Sequence, residues 1–522
     1  MDTTWDAIVI GSGFGGAMAA YPLVHAGQRV LMLERGAWVL RGSENVGPTD
    51  AGLAAPVFNY ESPGELHSGR RRYPIGTWNC VGGQSVFYGG ASFRFRESDF
   101  SADGPAVERS NATWPFTYDD LEPFYGMAEQ LLGVAGSYGD DPCEPRRSTP
   151  FRYTAAPLSR PARAIADAAV RVGLRPSRIP LAISYEASVG RRGCIQCGTC
   201  DGYACAAEAK NDLATGIIPA LVRHGMVVRA NTVCVRLVRN ESRIVDVECV
   251  DGITGEVTHF RAGTIVLAAG AVATPQLLLA SNLARVNPAA ASIGRYLTRH
   301  RNALTLGVFA RMPNPEHTFD KQLAIFDLYH EAGSLQQLTP NVGLVRFYLP
   351  RLLREPGVFV ARHASGLLAI AEDEPRFENG VSIDWSRTDR FGMPMVRVRQ
   401  TYTERDERAA RMLVRIAKRV LRESGALFCL VQRIETLSHA LGTVRMGVDP
   451  RTSPLDGDGR YRGLDNLYVT DGSALPRSAA VNPSLTIAAN ALRIGSRIAG
   501  AAPVKAGRAL RTIAHTLIPA DR

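Results

Sequence analysis

A glycine-rich turn close to the start of the chain has the residue types and the spacing of a dinucleotide-binding site. The turn runs through Gly11, Ser12, Gly13, Phe14, Gly15 and Gly16, which contain the pattern Gly-x-Gly-x-x-Gly. Glycines at these positions allow a tight turn and let the backbone approach a pyrophosphate. Glu34 follows 23 positions after Gly11, where a carboxylate accepts a hydrogen bond from a ribose hydroxyl. The sequence therefore predicts that this turn binds a dinucleotide.

A second group of residues, four cysteines within twelve positions, could perform metal or redox chemistry. They are Cys194, Cys197, Cys200 and Cys205. Their spacing approaches that of a ferredoxin, but the last gap is one residue longer and Ala206 stands where the proline would be. Two readings stay open, an iron–sulfur cluster held by the four thiolates and a compact cysteine-rich turn without metal. Neither resembles the disulfide framework of a small secreted protein, so we expect a cytoplasmic location.

The segments around the first glycines must form the elements that position them. Residues 6–10 are a buried-strand run, residues 17–26 have the pattern of a helix, and residues 29–33 form a second strand that ends at Glu34. This order is a βαβ unit with the glycine turn at the start of its helix. It predicts an α/β fold with a Rossmann-like domain.

Another glycine-rich segment lies at residues 82–90. Val86, Phe87 and Tyr88 stand between its glycines, and large apolar side chains argue against a fully exposed loop. The glycines permit a backbone path close to something flat or bulky. We therefore interpret the segment as a loop that contacts the cofactor.

The strands predicted between residues 304 and 399 indicate a second, sheet-rich domain, which precedes the last cofactor segment. Near Thr274 and Pro275 we predict an N-cap and a first-turn proline, and Asn482 and Pro483 have the same roles before a helix that runs to Ile494. The other predicted strands are 264–269, 304–310, 323–328, 342–349, 367–371, 381–385, 396–399 and 466–473, and the other predicted helices are 276–281 and 403–426.

Composition narrows the class of protein. The chain has 522 residues, 45% of them hydrophobic and 21% charged, and no apolar run long enough to span a bilayer. The net charge is +10, but only four basic residues are lysines and the arginines are scattered, so we expect no nucleic-acid partner. The cofactor strand begins near Trp5, so we expect no signal peptide. A basic tail, residues 504–522, leaves open an association with a membrane surface.

The motifs taken together resemble the glucose–methanol–choline (GMC) flavoprotein oxidoreductases. The resemblance is carried by the glycine turn with Glu34, the 82–90 loop, the segment 269–278, the segment 439–447, and the pair of segments 471–473 and 482–483. It implies a discontinuous FAD-binding domain (1–115, 190–301 and 437–503) of the two-dinucleotide-binding-domain type. It also implies an α+β substrate domain (116–189 and 302–436).

The resemblance also implies roles for particular residues. His439 would be the catalytic base and Asn482 its partner. Further cofactor-binding residues would be Arg35, Gly82, Ser85, Tyr88, Gly89, Ala91, Cys234, Ala269, Gly270, Asp471, Gly472 and Pro483. Some members of the family link FAD covalently through a histidine of the glycine loop. Since no histidine lies between residues 76 and 96, we expect FAD to bind non-covalently. Part of the family has a similar cysteine block, which in some members holds an iron–sulfur cluster.

The reaction implied is oxidation of an alcohol to a carbonyl, with a hydride passing to flavin N5 while His439 takes the hydroxyl proton. The substrate would be a sterol, a long-chain alcohol, a polyol or an amino sugar. The electron acceptor would be dioxygen, a quinone or a redox protein. Two alternatives remain, a lyase of the same fold that carries FAD structurally and an electron-transfer subunit containing flavin and an iron–sulfur cluster.

Overall fold

The computed structural model describes residues 5–42, 64–68, 71–75, 78–187, 192–316 and 318–500. The helices are α1 (Phe14–His25), α2 (Pro105–Glu108), α3 (Tyr118–Leu131), α4 (Arg160–Arg171), α5 (Ile217–Arg223), α6 (Gly270–Ala280), α7 (Val342–Tyr348), α8 (Arg354–Arg362), α9 (Glu404–Glu423) and α10 (Ser484–Ile498). The strands are β1 (Trp5–Ile10), β2 (Val30–Leu33), β3 (Gly64–Ser68), β4 (Arg71–Pro74), β5 (Ala135–Gly136), β6 (Tyr153–Thr154), β7 (Pro176–Arg178), β8 (Val227–Arg229), β9 (Thr232–Asn240), β10 (Arg243–Asp251), β11 (Val257–Phe260), β12 (Ala262–Leu267), β13 (Arg301–Val308), β14 (Leu323–Ile325), β15 (Ser334–Gln337), β16 (Ala364–Ala371), β17 (Gly380–Thr388), β18 (Pro394–Gln400), β19 (Phe428–Arg433) and β20 (Leu467–Val469). The predicted tail at 504–522 lies outside the described residues.

A parallel sheet of five strands carries the predicted dinucleotide turn. Its strand order is β20-β12-β1-β2-β8, and each neighbouring pair is parallel. Residues 7–10 of β1 and all of β2 are buried, as expected for parallel strands with both faces covered. Helix α1 connects β1 to β2 and packs against α10. The Rossmann-like α/β fold predicted from the sequence is confirmed.

A six-stranded sheet forms the second layer that matters for the site. Its order is β19-β13-β16-β15-β14-β7. On one face, Leu335, Leu367 and Ala369 join an apolar cluster with Leu413 and Val420 of α9. Since side chains alternate along a strand, the opposite face carries the other half of the sheet's residues. The sheet-rich region and its long amphipathic helix are confirmed, whereas the exact domain boundaries stay a prediction.

The predicted strand at 342–349 is wrong. Residues Val342–Tyr348 form helix α7, which packs on α8 through Val342, Val358 and Ala361. A short apolar run has no periodicity that separates a buried strand from one face of a short helix. The choice is made by the partner, because α8 offers an apolar surface for α7 to pack against.

The start of α6 also differs from the prediction. The helix begins at Gly270, so Thr274 and Pro275 lie within it rather than at its N-terminus. Proline has no N–H to donate to the carbonyl four residues earlier, which here is that of Ala271. The hydroxyl of Thr443 donates to this carbonyl at 2.7 Å. A side chain from a distant segment thus replaces the missing helical hydrogen bond.

Candidate active site

The glycine turn follows β1 directly, and there is open space beside Gly13. At Gly11, whose φ is +99°, an added Cβ would lie 2.4 Å from the carbonyl oxygen of Ala268, and at Gly16 it would lie 1.9 Å from the carbonyl oxygen of Gly11. At Gly13 an added Cβ would meet nothing within 4 Å. Gly13 is the N-cap of α1, and no side chain caps the helix there. The first-turn N–H groups of α1 are therefore in the right place to bind an anionic group.

Glu34 lies beside this turn, as predicted. Its carboxylate accepts hydrogen bonds from the backbone N–H of Ser12 at 3.1 Å, from the Ser12 hydroxyl at 2.5 Å and from the N–H of Gly36 at 3.0 Å. Burial raises the pKa of Glu34, and these hydrogen bonds act in the opposite direction. The carboxylate is held at the end of β2, where a ribose hydroxyl would reach it.

The loop at residues 82–90 packs directly on the glycine turn. The N–H of Gly82 donates to the Ser12 hydroxyl at 2.9 Å, and an added Cβ at Gly83 would lie 3.2 Å from Cα of Gly13. The Ser85 hydroxyl donates to the Gly82 carbonyl and accepts from the N–H of Leu213. The two hydrogen bonds of Ser85 therefore stabilise the conformation of the loop.

The far side of the same loop reaches the start of α10. The Tyr88 hydroxyl donates to the Asn211 carbonyl at 3.1 Å, and its ring meets that of Phe14 edge-on at 5.4 Å. The carbonyl of Ala91 accepts from the hydroxyl of Ser484 at 3.0 Å. Ala91 thus lies next to the segment that contains Asn482 and Pro483.

Two later segments complete the arrangement around the glycine turn. Asp471 accepts hydrogen bonds from the N–H of Gly270 at 2.9 Å and from the hydroxyl of Thr274 at 2.5 Å. An added Cβ at Gly15 would lie 2.7 Å from Cα of Asp471. Asp471, with Gly472 beside it, and Ala269 with Gly270 therefore converge on the turn although they are far apart in sequence.

The structure brings together His439 and Asn482, the two residues to which the family resemblance gives the catalytic roles. The amide Nδ2 of Asn482 lies 3.4 Å from Nε2 of His439. Asn482 is buried and His439 is half-buried. The Oδ1 atom of Asn482 is enclosed and has no hydrogen-bond partner among the described residues. A buried acceptor without a partner is costly, so this amide is suited to bind a ligand.

Helix α10 begins at Ser484 with Pro483 as its N-cap, so Asn482 does not have the predicted capping role.

A second histidine, His300, contacts His439 and was not predicted from the sequence. Nδ1 of His300 lies 3.0 Å from Nδ1 of His439, and Nε2 of His300 lies 3.0 Å from the carbonyl oxygen of Ser478. A carbonyl only accepts, so Nε2 of His300 carries the proton and its Nδ1 is the acceptor. His439 must then donate from its Nδ1, which leaves an unprotonated Nε2 facing Asn482.

Asp373 fixes the positions of His300 and Ser478. Its carboxylate accepts from the backbone N–H of His300 at 2.9 Å and from the hydroxyl of Ser478 at 3.0 Å. His300 itself has a φ of +66°, a conformation that few residues other than glycine adopt. None of the motifs found in the sequence contains His300, because its contact with His439 joins residues 139 positions apart.

Both histidines are kept neutral by their surroundings. Burial lowers the pKa of His300 to about 4. The pKa of His439 lies well below its usual value, first because of burial and then because of His300 and the positive charge of Lys321. A neutral imidazole with a free Nε2 is the form that can accept a proton.

Arg35 and Cys234 have other partners in the structure. Arg35 donates to Asp389 at 3.0 Å, and its guanidinium lies over the ring of Phe391. Cys234 stands opposite Cys249 in the pairing of β9 with β10. The cofactor contacts predicted for Arg35 and Cys234 stay predictions.

The four clustered cysteines are not arranged as a set of metal ligands in the described residues. None of them is in a disulfide, and no group of three or more His, Cys, Asp or Glu residues in the described ranges is arranged to hold a metal ion. Burial raises the pKa of Cys194 to about 11 and also raises that of Cys200. The geometry lends the iron–sulfur reading no support.

In the described ranges, no helix combines the length and the apolarity that a membrane span needs.

Comparison with known proteins gives consistent results. Profiles of the GMC oxidoreductase N-terminal and C-terminal regions match residues 6–302 and 375–491. The chain is 32% identical to 6'''-hydroxyparomomycin C oxidase of Streptomyces lividus, over 95% of this chain and 92% of that protein. It is 30% identical to paromamine 6'-oxidase of Streptomyces fradiae, with 96% and 92% covered. The crystal structure of pyridoxine 4-oxidase from Mesorbium loti shares the fold, with a TM-score of 0.68, 19% identity and coverage of 95% and 99%.

Proposed function

Since the chain belongs to the GMC oxidoreductase family, we propose that it oxidises an alcohol group of an amino sugar, with His439 as the base. The family makes it an FAD-dependent oxidoreductase that acts on alcohols. The choice of substrate is supported by the two Streptomyces relatives, which are named as oxidases of 6'''-hydroxyparomomycin C and of paromamine. The observation that carries the proposal is the placement of His439, whose Nδ1 contacts His300 at 3.0 Å and whose Nε2 lies 3.4 Å from the amide of Asn482.

The residues present fit FAD. Gly13 leaves open space at the N-terminus of α1, the carboxylate of Glu34 stands at the end of β2, and the loop at 82–90 closes over both. When bound, FAD supplies the acceptor, at N5 of its ring, for the hydride that leaves the carbinol carbon. The absence of a histidine in residues 76–96 supports non-covalent binding.

The protein's own groups handle the proton. A substrate hydroxyl placed between His439 and Asn482 donates its proton to Nε2 of His439. The Asn482 amide N–H then points at the oxygen on which negative charge develops, where a fixed donor is most effective. The Nδ1–H of His439 donates to Nδ1 of His300 throughout, so the ring keeps one orientation. The positive charge that His439 gains is spread over a hydrogen-bonded pair of imidazoles.

We expect amino sugars to bleach the flavin under anaerobic conditions faster than plain sugars, sterols or long-chain alcohols. The measurement is stopped-flow absorbance of the FAD-loaded protein mixed with each alcohol, followed by admission of air. Recovery of the yellow colour in air identifies dioxygen as the electron acceptor, whereas its absence indicates a quinone or a redox protein. Cyanohydrin cleavage without bleaching by any alcohol would contradict the proposal and favour a lyase. An iron assay on the same sample tests the cysteine block.

His300→Leu is expected to lower kcat by about 10- to 100-fold with a smaller change in KM. Loss of the acceptor at Nδ1 frees the His439 ring to rotate and to change tautomer, and the stabilisation of the charged imidazole is lost. A hydrogen bond to a charged group is worth about 1.5–3 kcal/mol. His300→Asn is the informative partner variant, because its Oδ1 can stand near the position of Nδ1. We expect it to recover part of the lost kcat. Equal loss in both variants, or a loss in KM alone, would contradict this role.

A further inference from the structure

An ion pair between Asp201 and Lys321 lies close to the candidate site and has no assigned role. The Nζ atom of Lys321 is 3.1 Å from each carboxylate oxygen of Asp201. The Lys321 side chain is 10% exposed and that of Asp201 is 36% exposed. The ammonium is thus largely removed from water, where a charge acts on its surroundings more strongly than at the surface.

The pair lies directly against Gly89 of the cofactor loop. A Cβ added at Gly89 would be 2.3 Å from Oδ1 of Asp201 and 2.6 Å from Nζ of Lys321. Either distance is too short for a Cβ contact, so a side chain at this position would displace the charged groups of Asp201 and Lys321. The family resemblance implies that this loop, including Gly89, would contact the flavin ring.

Hydrogen bonds between the cysteine block (residues 194–205) and the glycine loop (residues 82–90) fix the position of Asp201. The N–H of Gly202, next to Asp201, donates to the Phe87 carbonyl at 2.8 Å. Buried Lys210 donates to the carbonyls of Tyr88, Cys200 and Tyr203 at 2.8–2.9 Å. These bonds hold the cysteine block on the glycine loop.

The other end of the pair is tied to the substrate-domain sheet. Cys197 pairs with Thr318, and the N–H of Phe319 donates to the Gln196 carbonyl at 2.9 Å. Lys321 stands two residues before β14. The ion pair therefore lies where the glycine loop, the cysteine block and the six-stranded sheet meet, and His300 directly precedes strand β13 of that sheet.

The charge of Lys321 reaches the catalytic base. It is one of the groups that lower the pKa of His439, after burial and His300. Asp320, whose pKa is raised to about 6 by burial, also lies within electrostatic range of Asp201. The cation thus lies against the loop expected to contact the flavin, and its charge also acts on His439.

We propose that the Asp201–Lys321 pair sets the electrostatic potential of the active site. The Lys321 ammonium favours the negative charge that the flavin would gain on reduction and disfavours a positive charge on His439, and Asp201 fixes the ammonium and limits its effect. This inference rests on the proposed function, because it requires FAD against Gly89.

Two substitutions of opposite sign test the proposal on FAD-loaded protein without any substrate. Sulfite is the probe, since its affinity for an oxidised flavin rises as the site becomes more positive. We expect Lys321→Met to raise the sulfite Kd by roughly tenfold and Asp201→Asn to lower it, the scale of one unit charge acting within a protein interior. The midpoint potential of the flavin should fall in Lys321→Met and rise in Asp201→Asn.

The pH dependence of kcat/KM gives a second, independent test of the proposal. Protonated His439 cannot act as a base, so kcat/KM falls as the pH drops through its pKa. Removal of the Lys321 charge raises that pKa, and the acid limb should move to higher pH in Lys321→Met and to lower pH in Asp201→Asn. Lys321→Arg, which keeps the charge, should retain the sulfite Kd of the unsubstituted protein.

Glu407→Gln provides the matched control, since Glu407 pairs with the buried Arg301 at 2.9 Å on the face of the sheet covered by α9. It should leave the sulfite Kd unchanged. A purely structural ion pair would instead lower the thermal stability of Lys321→Met and Asp201→Asn with no change, or the same change, in sulfite Kd. That outcome would overturn the inference even if alcohols still reduce the flavin, whereas a protein that binds no FAD would overturn the proposed function first.

Discussion

His439→Gln is expected to purify with FAD bound and to have its flavin reduced by alcohol about 10²–10⁴-fold more slowly. Glutamine is close to histidine in size, but its amide cannot accept a proton at neutral pH. The hydroxyl proton then has no acceptor when the hydride leaves, and the negative charge on the oxygen must develop without neutralisation. Anaerobic stopped-flow reduction measures this step directly, because it excludes reoxidation and product release.

The control for His439→Gln is His259→Gln. His259 lies on β11, where its Nδ1 is 2.6 Å from Asp246, and its side chain is more than half exposed. This variant should reduce its flavin at the unsubstituted rate. If His439→Gln were also reduced at that rate, His439 would not be the base. The free Nε2 beside Asn482 would then have to be assigned to substrate binding, which predicts a change in KM instead.

The sequence predicted the dinucleotide-binding layer well because its signals are local. The glycine turn, the helix after it and Glu34 all lie within residues 5–34, and the physical reason for each is visible in neighbouring residues. The prediction failed at residues 342–349, where local pattern is ambiguous and packing against α8 decides. It also misplaced the start of α6, because the Thr443 hydroxyl that satisfies Ala271 comes from 172 residues away.

The candidate site shows the same limit more sharply. His439 and Asn482 were predicted because each stands in a recognisable segment, and the structure brings them within hydrogen-bonding reach. His300 stands in no such segment, and its importance comes from one contact across the fold. Lys321 and Asp201 are ordinary charged residues in the sequence, and only the space above Gly89 shows that they matter. Tertiary contacts of this kind have no signature in a single sequence.

Gly13→Val is expected to fold normally and to bind FAD about 10- to 100-fold more weakly. The φ of Gly13 is −69° and its ψ is −170°, which any residue adopts, and an added Cβ meets nothing within 4 Å. The protein alone therefore has room for a Cβ at this position. The second glycine of such a turn is where the backbone approaches the pyrophosphate, so the valine methyls would occupy the ligand's space. Overfilling a packed site costs about 1–3 kcal/mol, or roughly one to two factors of ten in Kd.

Gly216→Val is the matched control for Gly13→Val. Gly216 is the N-cap of α5 as Gly13 is of α1, it has a negative φ of −110°, and an added Cβ there meets only the Asp212 carbonyl oxygen at 3.8 Å. The two valine variants should have similar thermal stabilities as FAD-free proteins, and only Gly13→Val should show a higher FAD Kd in a fluorescence titration. Gly16→Ala should behave in the opposite way, since its Cβ would lie 1.9 Å from the Gly11 carbonyl oxygen and destabilise the fold itself. If Gly13→Val bound FAD with unchanged affinity, the pyrophosphate could not lie at the N-terminus of α1. The convergence of the four glycine-containing segments would then need another ligand to explain it.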